Sequence, residues 1–526
     1  MRAGRTALMA TLFGIAAATA QAQTGTTDTA GQPMSAIDWL SRSVEQPQVV
    51  LPVGTPLAVP PIGVPAVRGV TVPQIEIRPL SGPSADRVGL LPSSLTGLPA
   101  GIWAASDEVT LIELIGRERS ESIPALQELL ITLLLAEADP PLGAGPSAQL
   151  FLARIDKLLE LGALDPARSL LLAADPASPA LFQRWFDVAL LTGTESEACE
   201  VMRDSPGLAP TYPARIFCLA RSGDWDAASI VLFTGRALGD VDDETFDLLD
   251  RFLDPETFDG ADPLPPPQRV SPLVFRLREA IGERLTTGQL PRAFAHADLS
   301  DIAGWRNQME AAERLSRAGA VSGSTLQALY TARMPAASGG VWDRASAFQR
   351  FDVAVKSGDP VAVSNALPGV WAAMEEARIE VSFADLYRED LARLPLVGDG
   401  ARLSLTIRLL SRDYEAAGAL LPQSDPRDAL LSGVAQGRLT GPVPRGIREQ
   451  AVAAGFGSAP VPPEITALLT GGKLGEALLQ TIMLFDEGLT GDPARITDAL
   501  AALRAVGLED IARRAALQYL LLDRDS

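Results

Sequence analysis

The sequence predicts an all-α fold: a divergent α-solenoid, a superhelix of antiparallel helix pairs, with a Pro-rich extended N-terminal arm. Three observations predict it. From Ser106 to the C-terminus apolar residues recur at helical spacing, and strand-like alternation is nearly absent after Gly101. Short Gly, Pro or Asp breaks separate these stretches, and loops that short make antiparallel neighbours the natural arrangement. A spacing Leu-x3-Gly-x4-Ala recurs at the junctions. With 526 residues, 47% of them hydrophobic and 21% charged, the chain is long enough for a large core.

The N-terminus has the features of an export signal. Arg2 and Arg5 precede a short apolar run at 7–18, and Ala20-Gln21-Ala22 fits small-x-small cleavage before Gln23, with cleavage after Ala20 as the second choice. Residues 1–22 are therefore expected to be removed, which places the mature chain in the periplasm. The run is too short to span a bilayer, and no other stretch reads as a transmembrane segment. No cysteine follows the cleavage site, so lipidation is not expected.

An arm is expected over 23–100. Residues 23–34 are small and polar and are expected to be disordered. At 35–44, SAIDWLSRSV, Ser35 is placed to cap a short helix with Ile37, Leu40 and Val44 on one face and Trp39 beside them. An isolated helix of that length is marginal in water, so it either docks on the body or binds a partner. Ile37, Trp39 and Leu40 are thus candidate partner-binding residues. Prolines recurring from Pro47 to Pro99 exclude regular helix. The segment is extended, serving either as a strap along the body or as a semi-rigid tether.

A first helical section spans 101–262. Ser106-Asp107-Glu108 is a capping sequence, and helices are predicted at 111–117, 124–138, 148–161, 166–173, 180–191, 195–201, 212–221 and 225–238. Cys199 and Cys218 fall on neighbouring helices at a spacing suited to facing turns. In an oxidising compartment they are expected to form a disulfide; two buried free thiols are the alternative. The acidic run at 240–262 is not an EF-hand, because Thr245 stands at the tight-turn glycine and Arg251 at the bidentate glutamate. It reads as a solvated helix face.

A Pro-rich linker follows at 263–272, then a middle helical section at 273–440, a Pro/Gly-rich loop at 441–463 and a C-terminal section at 464–526. His296 is the only histidine. Alone it cannot build an imidazole metal site, and it is expected to pack or cap. The loop at 332–344 combines glycines, charge and an aromatic residue. Arg333, Trp342 and Arg344 are candidate partner-binding residues there; the alternative is a helix connection whose glycines make room for Trp342.

The Leu-Gly-Ala spacing appears as Leu158/Gly162/Ala167, Leu219/Gly223/Ala228, Leu468/Gly472/Ala477 and Leu503/Gly507/Ala512, with a partial copy at Leu315/Gly319. Together with GDWDAA (223–228), SRDYEAA (411–417) and LRAVGLEDIARRAALQYLL (503–521), it resembles tetratricopeptide repeats. Ile216 departs from that pattern, which has a small residue there, and the copies are irregularly spaced. The resemblance implies a tetratricopeptide-like superhelix with a concave surface for peptides or partner proteins. The stretches VGLLPSSLTGLP (88–99), LFQRWFDVALLTGTESEAC (181–199), YPARIFCLARSGDWDAA (212–228) and LYTARMPAASGGVWDR (329–344) also resemble an uncharacterised family of exported tetratricopeptide-like proteins from Gram-negative bacteria.

A net charge of −20 repels nucleic-acid phosphates and anionic lipid heads, which argues against nucleic acid as a partner. No catalytic, cofactor-binding or metal-ligating motif stands in the sequence: G-x-S-x-G, H-E-x-x-H, a Walker A loop and metal-spaced Cys/His clusters are all missing. The expectation is a non-enzymatic periplasmic binding or scaffold protein without cofactors, whose partners are other periplasmic or envelope proteins. The alternatives are an accessory component of an envelope machine, such as a flagellar motor or secretion system, and a lytic transglycosylase-type cell-wall enzyme. The second alternative needs a catalytic glutamate in a lysozyme-like domain, for which the helical pattern leaves no room.

Overall fold

The computed structural model describes residues 84–176 and 178–522. The expected export signal, the helix expected at 35–44 and the prolines before Ser84 lie outside the described residues. Within them the fold is all-α: helices joined by short turns, a few 3-10 turns and two isolated β-bridges.

Local chemistry sets the helix ends. The first long helix, Glu108–Arg117, is capped by Asp107, whose carboxylate accepts the Thr110 amide at 3.2 Å. The next, Pro124–Leu135, stops short of the expected residue 138. The cause is tertiary: Leu90 and Leu91 donate to Leu135 O at 2.8 and 3.1 Å, and Glu137 N donates to Leu91 O at 2.9 Å. The end of the Pro-rich region thus lies as a strap against the helix terminus. At Gly89 the approach is backbone to backbone, since a Cβ there would lie 2.2 Å from Glu137 N.

Arg154, fully buried on the Gln149–Leu161 helix, fastens this strap. Its Nε donates to Leu134 O at 2.7 Å, Nη2 to Ala136 O at 3.0 Å, and Nη1 to Asp86 O and Val88 O at 3.2 and 3.0 Å. The buried Asp86 carboxylate in turn accepts the Phe151 amide at 2.8 Å. Burial pushes the guanidinium pKa down to about 10, partly offset by Asp86, so it stays charged at neutral pH.

The Leu-Gly-Ala spacing corresponds to one backbone device. At Gly162, Gly223, Gly319, Gly472 and Gly507 φ is positive, between 66° and 85°. The amide after each glycine returns to the carbonyl of the motif leucine: Ala163 to Leu158 at 2.8 Å, Asp224 to Leu219 at 2.9 Å, Ala320 to Leu315 at 3.0 Å, Lys473 to Leu468 at 2.9 Å and Leu508 to Leu503 at 2.9 Å. This is the Schellman closure of a helix C-terminus, which an L side chain at the glycine would strain. The alanines that follow, Ala167, Ala228, Ala477 and Ala512, are all buried in the next helix.

The first and last sections share a core. One apolar cluster includes residues from Leu98 to Ala297 and from Leu409 to Leu520; a second is built mainly from Trp305 to Leu410. The closing helix, Glu509–Leu521, packs on Pro124–Leu135, and Leu474–Thr490 packs on both Glu108–Arg117 and Pro124–Leu135. Gln518, 1% exposed, supplies the missing cap of the Pro124 helix by accepting the Ala125 amide at 2.8 Å. Gly475 lets its helix lie on Trp103, whose ring a Cβ would meet at 2.3 Å.

The Pro-rich segment 263–272 is clamped to the body. Arg278 Nη1 donates to Leu264 O at 3.2 Å and pairs with Glu283 at 2.6 Å, while Glu283 accepts the Leu264 amide at 3.0 Å.

Candidate functional site

Cys199 and Cys218 form a disulfide between the Glu195–Asp204 and Tyr212–Arg221 helices, with sulfurs 1.98 Å apart and both residues buried. No helix among the described residues is long and apolar enough to cross a membrane. The disulfide is compatible with an exported chain.

The candidate partner-binding residues separate. Ile37, Trp39 and Leu40 lie outside the described residues. Arg344 is turned inward: Nε and Nη2 pair with Glu313 at 2.8 and 2.7 Å, and Nη1 with Glu376 at 3.1 Å. Glu313 is 1% exposed and also accepts the Tyr330 hydroxyl at 2.5 Å. Burial first, then the Glu313 carboxylate, raises the Tyr330 pKa well above that of a free phenol. Trp342 packs edge-on against Trp305, ring centres 5.2 Å apart, and Trp305 donates to Leu329 O at 2.8 Å. Arg333 is exposed, and its carbonyl accepts Gln349 at 2.7 Å. The loop therefore joins the Gly323–Thr331 and Val341–Ser357 helices through Trp342 and Arg344, with Gly339 and Gly340 at positive φ.

His296 is 9% exposed, and its Nε2 lies 2.6 Å from Gly162 O, which makes that nitrogen the donor. Burial lowers its pKa, an effect the Gly162 bond partly opposes. It ties the Arg292–Leu299 turn to the glycine-closed end of the Gln149–Leu161 helix. Among the described residues, no group of three His, Cys, Asp or Glu side chains is placed to hold a metal.

Two features remain as candidate sites. The first is a polar cleft of about 540 Å³ between the Pro124–Leu135 helix, the turn after Ser316 and the start of the Glu380–Arg393 helix. Its charges are internally matched. Arg412 pairs with Glu128 at 3.1 Å and its amide donates to Asp385 at 2.8 Å, while Arg317 donates to Ala377 O at 2.7 Å. Burial raises the Asp385 pKa, against the Arg412 amide and nearby arginines.

The second feature is the outer face of the Trp225–Leu238 helix. Asp224 caps this helix through the Ala227 amide at 3.2 Å. Ala228, Leu232 and Gly235 form its buried face. On the other side Ile230 is 67% and Phe233 57% exposed; Trp225, at the helix start, is 48% exposed. Ile230, Phe233 and Ala237 recur at i, i+3 and i+7, which gives one continuous stripe. Phe233 lies edge-on to the buried Phe246, ring centres 5.6 Å apart, and Trp225 lies 6.2 Å from Phe252, so the Asp243–Leu253 helix borders the stripe.

Beside the stripe stand acids. Asp243, Asp247 and Asp250 follow at i, i+4 and i+7, one face of their helix, and Asp254 stands at its C-cap. Partial burial first, then Asp254 and Asp247, raise the pKa of Asp250. Arg236 lies over the Phe246 ring at 3.9 Å and pairs with Asp243 at 3.2 Å, so the cation within the surface is already neutralised. Periodicity alone could have found this stripe, but apolar spacing reads as core until burial is known.

No protein-family model, no curated protein and no solved structure matches this chain.

Proposed function

We propose that the chain is a non-enzymatic binding or scaffold protein of the periplasm, and that it holds another envelope protein on its helical surface. The observation that carries this reading is the exposed stripe of Ile230, Phe233 and Ala237. Contiguous exposed aromatic and aliphatic side chains cost solubility and mark protein contact surfaces. Support for the compartment comes from the disulfide, which persists in oxidising surroundings, and from the signal-like N-terminus. The reading takes the repeated Leu-Gly-Ala junctions as units of a divergent tetratricopeptide-like arrangement of helix pairs.

A photo-crosslinking side chain at position 233, with one at the exposed Glu389 as control, tests it in periplasm-containing cells. The expected result is a discrete adduct to another protein from 233 alone. Equal labelling from both positions, or clear lysis of purified peptidoglycan by the isolated protein, would overturn the proposal.

A further inference from the structure

The stripe and the ridge of acids together describe the chemistry of what covers them. We infer that this surface receives a basic amphipathic helix of the partner, its apolar side on Ile230 and Phe233 and its Lys or Arg residues against Asp247, Asp250 and Asp254. The inference rests on the protein-binding reading above and names the partner's class.

Four arguments lead there. The apolar part is a helix-spaced stripe flanked by a second helix, the geometry that accepts anchors at i, i+3 or i+4 and i+7. Asp243 is matched by Arg236 and Asp254 accepts the Thr257 amide, but Asp247, Asp250 and Asp254 still repel one another along one edge. Cations brought by a partner would relieve it. From Asp243 to Leu253 the helix runs about 15 Å at 1.5 Å per residue, matching just under three turns of a docked helix. Finally, the acids and the net charge of −20 disfavour an anionic membrane or an acidic peptide.

The test uses the full mature chain and two labelled synthetic peptides of the same helical pattern, one of Leu and Lys, the other of Leu and Glu. Anisotropy should show the Leu/Lys peptide binding and the Leu/Glu peptide failing to bind. Ile230→Ser with Phe233→Ser, which leaves charge unchanged, should weaken binding by about tenfold or more, as loss of central anchors does. Asp247→Asn with Asp250→Asn should flatten the salt dependence. Both variants should still melt cooperatively, the asparagine variant no lower than wild type because its two acids repel each other in the folded chain.

Several results would overturn the inference. Equal binding of both peptides would do so, as would unchanged affinity in the serine variants, which would mean adsorption to bulk negative charge. Displacement of the probe by a peptide of residues 35–44 would make the occupant the chain's own arm. Dimerisation abolished by the serine substitutions would make it a second copy. A crosslink from position 233 without binding of either peptide would retain the scaffold reading and reject the basic helix. Binding of the Leu/Lys peptide without any crosslink in cells would support the surface chemistry and remove the scaffold reading.

Discussion

Arg154→Met should release the strap while leaving most of the helical body folded. The wild-type guanidinium satisfies four carbonyls: Leu134 and Ala136 at a helix end, Asp86 and Val88 in the strap. Methionine fills much of the volume but donates nothing. Each buried carbonyl left unpaired costs about 1–3 kcal/mol, though water entering beside the loosened strap recovers part of this. Breaking a buried charged network from one side costs about 3–5 kcal/mol. The lower figure corresponds to roughly a hundredfold in an opening equilibrium. Native-state hydrogen exchange reads it directly at Leu90, Leu91 and Glu137, whose amides make the strap's bonds. These amides should exchange about a hundredfold faster, while those of the distant Pro360–Ala377 helix should be unchanged. Arg154→Lys, with one ammonium in place of a fork, should fall between. Exchange within about threefold of wild type in Arg154→Met would refute the reasoning, because opening would then cost less than about 1 kcal/mol more than before.

Cys218→Ser should lower stability by about 3 kcal/mol, since the bond closes a short loop and restricts the unfolded chain; denaturant melts with and without reductant measure it, and wild type should lose the same amount on reduction. Stability should fall as pH rises from about 4.5 toward 9. Glu118 and Asp486 meet at the seam between the first and last sections, each 2% exposed, and burial first, then mutual repulsion at Glu118, raises their folded pKa values to about 9 and about 6. Both exceed the unfolded values, so the folded state binds more protons across that window, and Glu118→Gln should flatten the slope in urea melts taken at several pH values. Gly475→Ala should destabilise by about 1–3 kcal/mol through overpacking on Trp103, seen as a lower thermal midpoint and altered tryptophan emission.

The seam shows why part of the molecule was hidden from sequence reading. Glu118 carries no hydrogen-bond partner on either buried carboxylate oxygen, and Asp486 has one oxygen bonded to Ser122 and the other unpaired. In sequence both look like ordinary surface acids of amphipathic helices. Only contact between residues 364 positions apart brings Asp486 to Ser122 and removes the water. The same holds for Arg344. Its loop has the composition of a binding loop, yet Glu313 from the Trp305–Ser316 helix holds the guanidinium. The acidic run at 240–262 was legible as a helix face only in part: the helix spans Asp243–Leu253, capped by Asp242 through the Thr245 amide at 2.8 Å, and the acids at 254–262 lie in turns beyond it. That it borders an exposed aromatic stripe was not.

By itself the sequence determined the all-α class, the glycine-closed junctions and the eligibility of Cys199 and Cys218 to pair. These depend on forces acting within one or two helical turns: capping bonds, the φ freedom of glycine and the 3.6-residue period. Only the tertiary structure decided which apolar stripe stays in water and which charge is buried. It also decided that Gln518, 393 positions away, caps the helix beginning at Pro124. Those outcomes depend on where distant helices pack, and a helical period specifies a face without specifying its neighbour. Burial converts the same residue from a solvated charge into a clamp, as at Arg154, or leaves the same apolar spacing as an open surface, as at Ile230 and Phe233.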